Sequence, residues 1–179
     1  MLTFANMQND HKPNDGEFPI FYKGYIDTLK DEPLITTLTS ETQHALEVMR
    51  RIPIEKTTYR YQPEKWSVRQ VLIHILDTEM VFGYRGLAIA RGEKQMLPGY
   101  NQDEYMAGVD PSLTNLNELI SCFEHLRSAN ISFYKMLREK DLERTGTASG
   151  YKVSARTIGY FIAGHCRYHV NMLQDRYGI

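Results

Sequence analysis

The stretch from residue 67 to residue 92 constrains the fold more than any other part of the chain. Ser67 is followed three residues later by Gln70, which is a capping-box pattern and predicts the start of a helix. Gly92 predicts the end of that helix. Apolar residues recur between these signals at helical spacing: Val68, Val71, Leu72, Ile75, Leu76 and Met80. A long helix with one apolar stripe must bury it, so the stretch predicts one helix of a larger helical assembly.

Three further stretches carry the same periodicity. The predicted helices span about residues 32–52, 112–140 and 154–177. Pro33 suits the first turn of the earliest of them, and Pro53 ends it. No segment shows strand-length alternation of polar and apolar residues. The sequence therefore predicts an all-α four-helix bundle over residues 32–179, preceded by an N-terminal arm and short helical turn over residues 1–31.

Charge and hydropathy exclude several classes of partner. The formal net charge of −1 argues against binding to nucleic acid or an anionic membrane. The longest apolar run is far shorter than the roughly 20 residues of a membrane span. The N-terminus lacks a basic-then-apolar signal pattern, so we expect a cytoplasmic protein. We also expect its substrate to be a small molecule. With 12 tyrosines, exposed aromatic side chains could also form a homodimer interface.

The connection between the second and third helices is long. Its 19 residues, 93 to 111, can span up to roughly 60 Å when extended, whereas the helix before it is only about 39 Å long. The chain can therefore cross back along the bundle and place these two helices parallel. His74 lies seven positions into the second helix, and His169 lies eight positions from the end of the fourth. These depths match if the second and fourth helices are antiparallel, which gives an up-down-down-up order with a long crossover.

Three histidines form the candidate metal site. His165 and His169 are four residues apart and share a helix face, and His74 lies at the same predicted height. Three imidazoles suit a divalent metal, with Zn²⁺ or Ni²⁺ favoured, and leave one position open for water or substrate. The alternative is a set of ordinary core histidines, but three buried imidazoles would each need a partner.

Other polar residues have weaker signals. Asp77, three residues after His74, could accept a hydrogen bond from a ligand imidazole or act as an acid-base group; the alternative is a solvated carboxylate. Glu79 and Arg85 are predicted to be surface charges. The remaining histidines and both cysteines are expected to be solvated, partly exposed or buried without a chemical role: His11, His44, His125, Cys122 and Cys166.

Three segments together resemble the DinB-like (DinB/YfiT) superfamily of small metal-binding four-helix bundles. They are residues 66–77, with the sequence WSVRQVLIHILD, residues 97–103, with LPGYNQD, and residues 162–169, with IAGHCRYH. The resemblance covers the chain from about residue 35 to its end. It implies that His74, His165 and His169 are the metal ligands, and it implies the same up-down-down-up topology.

The resemblance also implies a range of functions. The first hypothesis is a metal-dependent hydrolase that acts on a small molecule. The alternative is a thiol-dependent S-transferase that uses a low-molecular-weight thiol such as bacillithiol or glutathione. A second alternative is a non-catalytic, stress-related metal-binding module.

Overall fold

The computed structural model of the protein describes residues 11–179. The first part of the predicted arm, residues 1–10, lies outside the described residues. The rest of it packs on the bundle through a 3-10 turn at Ile20–Tyr22 and a short helix, α1, at Lys23–Asp27. Phe18, Ile26 and Leu29 are buried there. The division of the chain at residue 31 stays a prediction.

Four long helices form the bundle. They are α2 (Leu34–Arg50), α3 (Val68–Arg91), α5 (Leu116–Lys135) and α7 (Ala155–Tyr177). Two short helices lie between them, α4 (Gln102–Ala107) in the crossover and α6 (Glu139–Leu142) after α5. None of the helices within residues 11–179 combines the length and apolar character needed to cross a membrane.

The predicted ends of α3 are confirmed. The Ser67 side chain accepts a hydrogen bond from the backbone amide of Gln70, and the Gln70 side chain accepts one from the backbone amide of Ser67. Gly92 ends the helix at φ 87°. The predicted start of the third helix near Ser112 is wrong. A 3-10 turn occupies Pro111–Leu113, and α5 begins only after Asn115, whose side chain caps the amide of Glu118. This helix also ends earlier than predicted, at Lys135.

Contacts between helices establish their directions. Going along α3, residue 79 meets residue 127 of α5, and residue 86 meets residue 134, so these helices are parallel. Residue 74 of α3 meets residue 165 of α7, and residue 86 meets residue 158, so these are antiparallel. Residue 34 of α2 meets residue 159 of α7, and residue 41 meets residue 167, so these are parallel. The up-down-down-up order is confirmed.

The predicted all-α four-helix bundle is confirmed, and the one addition to it within residues 11–179 is a small β-hairpin that the sequence did not indicate. Two short strands, β1 (Thr145–Ala148) and β2 (Tyr151–Ser154), form an antiparallel hairpin just before α7. Its two-residue turn places Ser149 at φ 52° and Gly150 at φ 83°, as a type I′ turn requires. The backbone of Leu97 in the crossover pairs with this hairpin at Ala148.

A buried ion pair crosses the middle of the bundle. Arg127 binds both carboxylate oxygens of Glu79 at 2.8 Å, and Asn130 donates a further bond to Glu79 at 2.9 Å. Apolar clusters lie on either side of this layer, one toward the histidines and one toward the hairpin. The prediction that Glu79 and Arg85 are surface charges is wrong, since they are 2% and 3% exposed.

Candidate metal centre

The three predicted histidines lie together inside the bundle. His74 comes from α3, and His165 and His169 come from successive turns of α7. One ring nitrogen from each lies within 4.8 Å of the others, and the Nε2 atoms of His74 and His165 are 3.0 Å apart. All three side chains are buried.

Burial keeps these imidazoles neutral. Loss of solvent lowers the pKa of His74 to about 4 and the pKa of His169 to about 3. The pKa of His165 is also held well below its usual range, by burial first and then by the neighbouring imidazoles. At neutral pH each imidazole therefore keeps one unprotonated ring nitrogen, which is the form that binds a metal.

The cluster meets the requirements of a three-nitrogen metal site. In tetrahedral coordination with metal–nitrogen distances of ~2.05 Å, two ligand nitrogens lie about 3.3 Å apart. Small movements of the three side chains would therefore bring their ring nitrogens to the distances that a metal requires. The buried Nδ1 of His169 has no hydrogen-bond partner within the described structure. A buried polar atom without a partner is costly, and a metal bound by the neighbouring nitrogens would set the tautomer of this ring.

Aromatic residues fix the orientation of the rings. The Trp66 ring lies 4.9 Å from that of His74, and Tyr25 meets His165 edge-on at 5.2 Å. Tyr25 sits on α1, which approaches α7 closely at Gly164. A Cβ atom at Gly164 would lie only 2.4 Å from the carbonyl oxygen of Tyr25, so this approach requires glycine.

A cavity of about 450 Å³ opens beside the cluster, and His169 forms part of its wall. The lining is mainly aromatic and apolar, with a few charged groups: Tyr25, Tyr61, Glu64, Lys65, Trp66, Val71, Gln102, Asp103, Tyr168, His169, Met172 and Tyr177. Gln102 and Asp103 belong to α4, so the crossover forms one wall of this cavity. The metal position left free by the histidines can therefore face a space large enough for a small molecule.

Two carboxylates near the cluster differ in placement. Asp77 is half-buried, and burial raises its pKa. Within residues 11–179 it makes no hydrogen bond to His74, so its predicted role stays a prediction. Asp103 lines the cavity, and its negative charge partly opposes the lowering of the His74 pKa by burial. Sequence analysis gave Asp103 no role, although this residue ends the segment 97–103 that carries part of the family resemblance.

The other histidines and the cysteines do not join the cluster. His11 and His125 are exposed, and His44 is half-buried elsewhere on α2. Cys166 is buried, and burial raises the pKa of its thiol to about 11. Cys122 is half-buried on α5.

The fold and the cluster define the class of the protein: a four-helix bundle of up-down-down-up topology with three histidines gathered at one end of its core. The family model of the DinB superfamily matches residues 37–173. The chain therefore belongs to the DinB superfamily.

Solved structures share this fold at low sequence identity. YfiT from Bacillus subtilis, described as a probable metal-dependent hydrolase with an unusual four-helix bundle topology, has a TM-score of 0.64 and 17% identity over 94% of both chains. A mycothiol-dependent maleylpyruvate isomerase has a TM-score of 0.65 and 16% identity over 78% of this chain. The alignment covers only 60% of that isomerase. No curated protein matches the sequence.

Proposed function

We propose that the protein is a metal-dependent enzyme, a hydrolase that acts on a small molecule. The observation that carries this proposal is the cluster of three neutral, buried imidazoles at the wall of an aromatic cavity. Only three protein ligands converge there within residues 11–179, which is typical of catalytic rather than structural zinc sites.

His74, His165 and His169 would hold the metal, with Zn²⁺ or Ni²⁺ favoured by the all-nitrogen ligand set. A bound divalent ion would supply Lewis acidity toward a water molecule or a carbonyl group. Tyr25 and Trp66 hold the imidazole rings in place. From the cavity wall, the Asp103 carboxylate can accept a proton from a water molecule or orient a substrate group.

The alternative is a thiol-dependent S-transferase. The fold likeness to a mycothiol-dependent isomerase supports it. The thiol would come from a cofactor such as bacillithiol or glutathione. The chain's own Cys166 is fully enclosed, with its pKa raised to about 11, so it does not serve as the nucleophile.

Elemental analysis of protein purified without added metal tests the site. We expect close to one equivalent of divalent metal per chain, and loss of it in His165→Ala and in His169→Ala. His125→Ala is the matched control, because this residue is exposed on α5. Full metal binding in both cluster variants would show that the site is wrong.

Activity assays then separate the reaction classes. A panel of esters and amides without thiol tests the hydrolase, and a panel of electrophiles with and without glutathione or bacillithiol tests the transferase. Activity on neither panel, with a large fall in melting temperature on metal removal, would favour the third alternative, a non-catalytic module with a structural metal.

A further inference from the structure

Arg85 on α3 is a buried cation with neutral partners. It is 3% exposed, and its Nη2 donates to the carbonyl oxygen of Pro98 at 2.7 Å and to the hydroxyl of Ser149 at 2.9 Å. Its positive charge also acts on the nearby hydroxyl of Tyr22. Within residues 11–179, no aspartate or glutamate forms an ion pair with it.

The other fully buried arginine, Arg127, is paired with an acid, and so are two half-buried arginines, Arg156 and Arg167. Arg127 binds Glu79, Arg156 binds Glu17, and Arg167 binds Glu41. A buried charge is costly when no opposite charge offsets it. Arg85 therefore differs from these three arginines in leaving its charge uncompensated by the protein.

Arg85 lines a second cavity, of about 280 Å³. The remaining wall residues are apolar, aromatic or glycine: Met80, Val81, Tyr84, Leu97, Pro98, Gly99, Tyr100 and Tyr105. This cavity shares no lining residue with the one beside the histidines. Along α3, Arg85 lies eleven residues from His74, which is roughly 16 Å of helix.

The hairpin and the crossover hold this site in shape. Leu97 pairs with the hairpin, and the adjacent turn brings the Ser149 hydroxyl to the guanidinium. Ser149 is at φ 52°, a conformation that few residues other than glycine adopt. The guanidinium is thus fixed by hydrogen bonds to two segments, the crossover and the hairpin, before any ligand binds, which reduces the entropic cost of binding.

We propose that the Arg85 cavity is a binding site for a small organic carboxylate. The carboxylate would form a charge-assisted hydrogen bond with the Arg85 guanidinium through the N–H groups of Nε or Nη1, because both hydrogens of Nη2 are donated to Pro98 and Ser149. The apolar body would lie against Met80, Tyr84 and Tyr105. The site is independent of the metal centre and of the reaction proposed for it.

Ligand-detected NMR and calorimetric titration with 3-phenylpropionate test the site. The neutral 3-phenylpropanol and the cationic 3-phenylpropylamine are matched probes of the same shape. We expect the carboxylate to bind at least about tenfold more tightly than either, as one charged hydrogen-bonded pair would give. Equal binding of the alcohol, or no binding of the carboxylate, would overturn the proposal. Binding of 3-phenylpropionate should persist in the His165→Ala/His169→Ala protein. Failure of the carboxylate-site proposal can therefore be told apart from failure of the metal-site proposal.

Variants locate the binding. Arg85→Gln should reduce affinity for 3-phenylpropionate about tenfold or more, whereas Arg91→Gln, exposed on the same helix, should not change it. Because Arg85 also binds Pro98 and Ser149, its loss could unfold the protein. Met80 is 52% exposed at the cavity wall and avoids that difficulty. Met80→Glu should weaken binding and Met80→Lys should strengthen it. Equal effects of both changes would overturn the proposal.

Discussion

At the scale of single residues, the bundle depends on a few polar and small side chains inside an apolar core. Arg127 is fully buried and reaches all three other long helices: it binds Glu79 of α3, the hydroxyl of Thr42 in α2 and the carbonyl oxygen of Ile162 in α7. Its guanidinium also lies 5.0 Å from the centre of the Phe123 ring. A charge with this many partners specifies how the four helices align.

Glu79→Gln should destabilise the protein strongly. The substitution leaves the Arg127 guanidinium buried without its counter-charge, and loss of one partner of a buried pair costs about 3–5 kcal/mol. Urea unfolding followed by circular dichroism measures this. Glu124→Gln is the matched control, because Glu124 pairs with Arg50 on the surface and such pairs contribute about 0–1 kcal/mol. Similar losses for both variants would contradict the role given to Glu79.

Gly164→Ala should loosen the packing around the histidine cluster. The new methyl group would collide with the backbone carbonyl of Tyr25, which cannot move without displacing α1. We expect a loss of about 1–3 kcal/mol in unfolding free energy and weaker metal binding, since Tyr25 contacts His165. Gly24→Ala is the control, because a Cβ there meets nothing within 4 Å and alanine favours helix. Equal stability of the two variants would refute this argument.

At the scale of elements, local signals were predictable and distant partners were not. Ser67 and Gly92 mark the ends of α3 because both act on backbone atoms a few residues away. The position of His74 along α3 follows from those ends. The sequence could therefore predict that His74 lies at the same height in the bundle as His169. The predicted start at Ser112 failed because Asn115 and Glu118 form a stronger cap.

The hairpin and the buried charges carried no such local signal. The strands have four residues each, too few to show alternation, and β1 contains Gly146. Glu79 lies 48 residues from Arg127, and Arg85 lies 64 residues from Ser149. No spacing rule along the chain connects residues so far apart, so these charges resemble surface residues until the fold is known.

Ser67→Ala tests the cap of the helix that carries His74. Loss of the side-chain bond to the Gln70 amide should cost about 1 kcal/mol. Thermal or urea unfolding measures the change, with Ser128→Ala on the exposed face of α5 as control, for which a change within about 0.5 kcal/mol is expected. An unchanged stability in Ser67→Ala would mean that the cap is not needed to start α3.

The turn at α6 should make stability depend on acid pH. Hydrogen bonds from Arg138, with the charge of Arg144, lower the pKa of Asp141 to about 2. A carboxyl group whose pKa is depressed in the folded state stabilises the protein above its unfolded pKa, near 3.8, and this stabilisation is lost as the pH falls toward 2. The unfolding free energy of Asp141→Asn should therefore fall less between pH 4 and pH 2 than that of the wild type. Parallel curves would exclude this contribution.

At the scale of the whole molecule, the histidine cluster and the arginine cavity lie at different levels of one bundle, on opposite sides of the Glu79–Arg127 layer. Tyr25 of α1 and the first residues of α4 line the histidine cavity, while Ile26 of α1 packs toward the hairpin and Tyr105 of α4 lines the arginine cavity. The two cavities share no lining residue, so each can be tested without the other. Only the histidine end should respond to metal.

Zinc should stabilise the whole bundle by mass action, because the three histidines come together only in the folded chain. At a free Zn²⁺ concentration of 100 times the dissociation constant, the expected gain is about 2.7 kcal/mol, with a rise in melting temperature that grows with metal concentration. Trp66, the single tryptophan, lies against His74 and gives a direct fluorescence signal for the same event. Both responses should disappear in His165→Ala/His169→Ala and persist in His125→Ala. A stabilisation by zinc that survives loss of both cluster histidines would place the metal elsewhere on the protein and remove the basis for a catalytic centre at this end of the bundle.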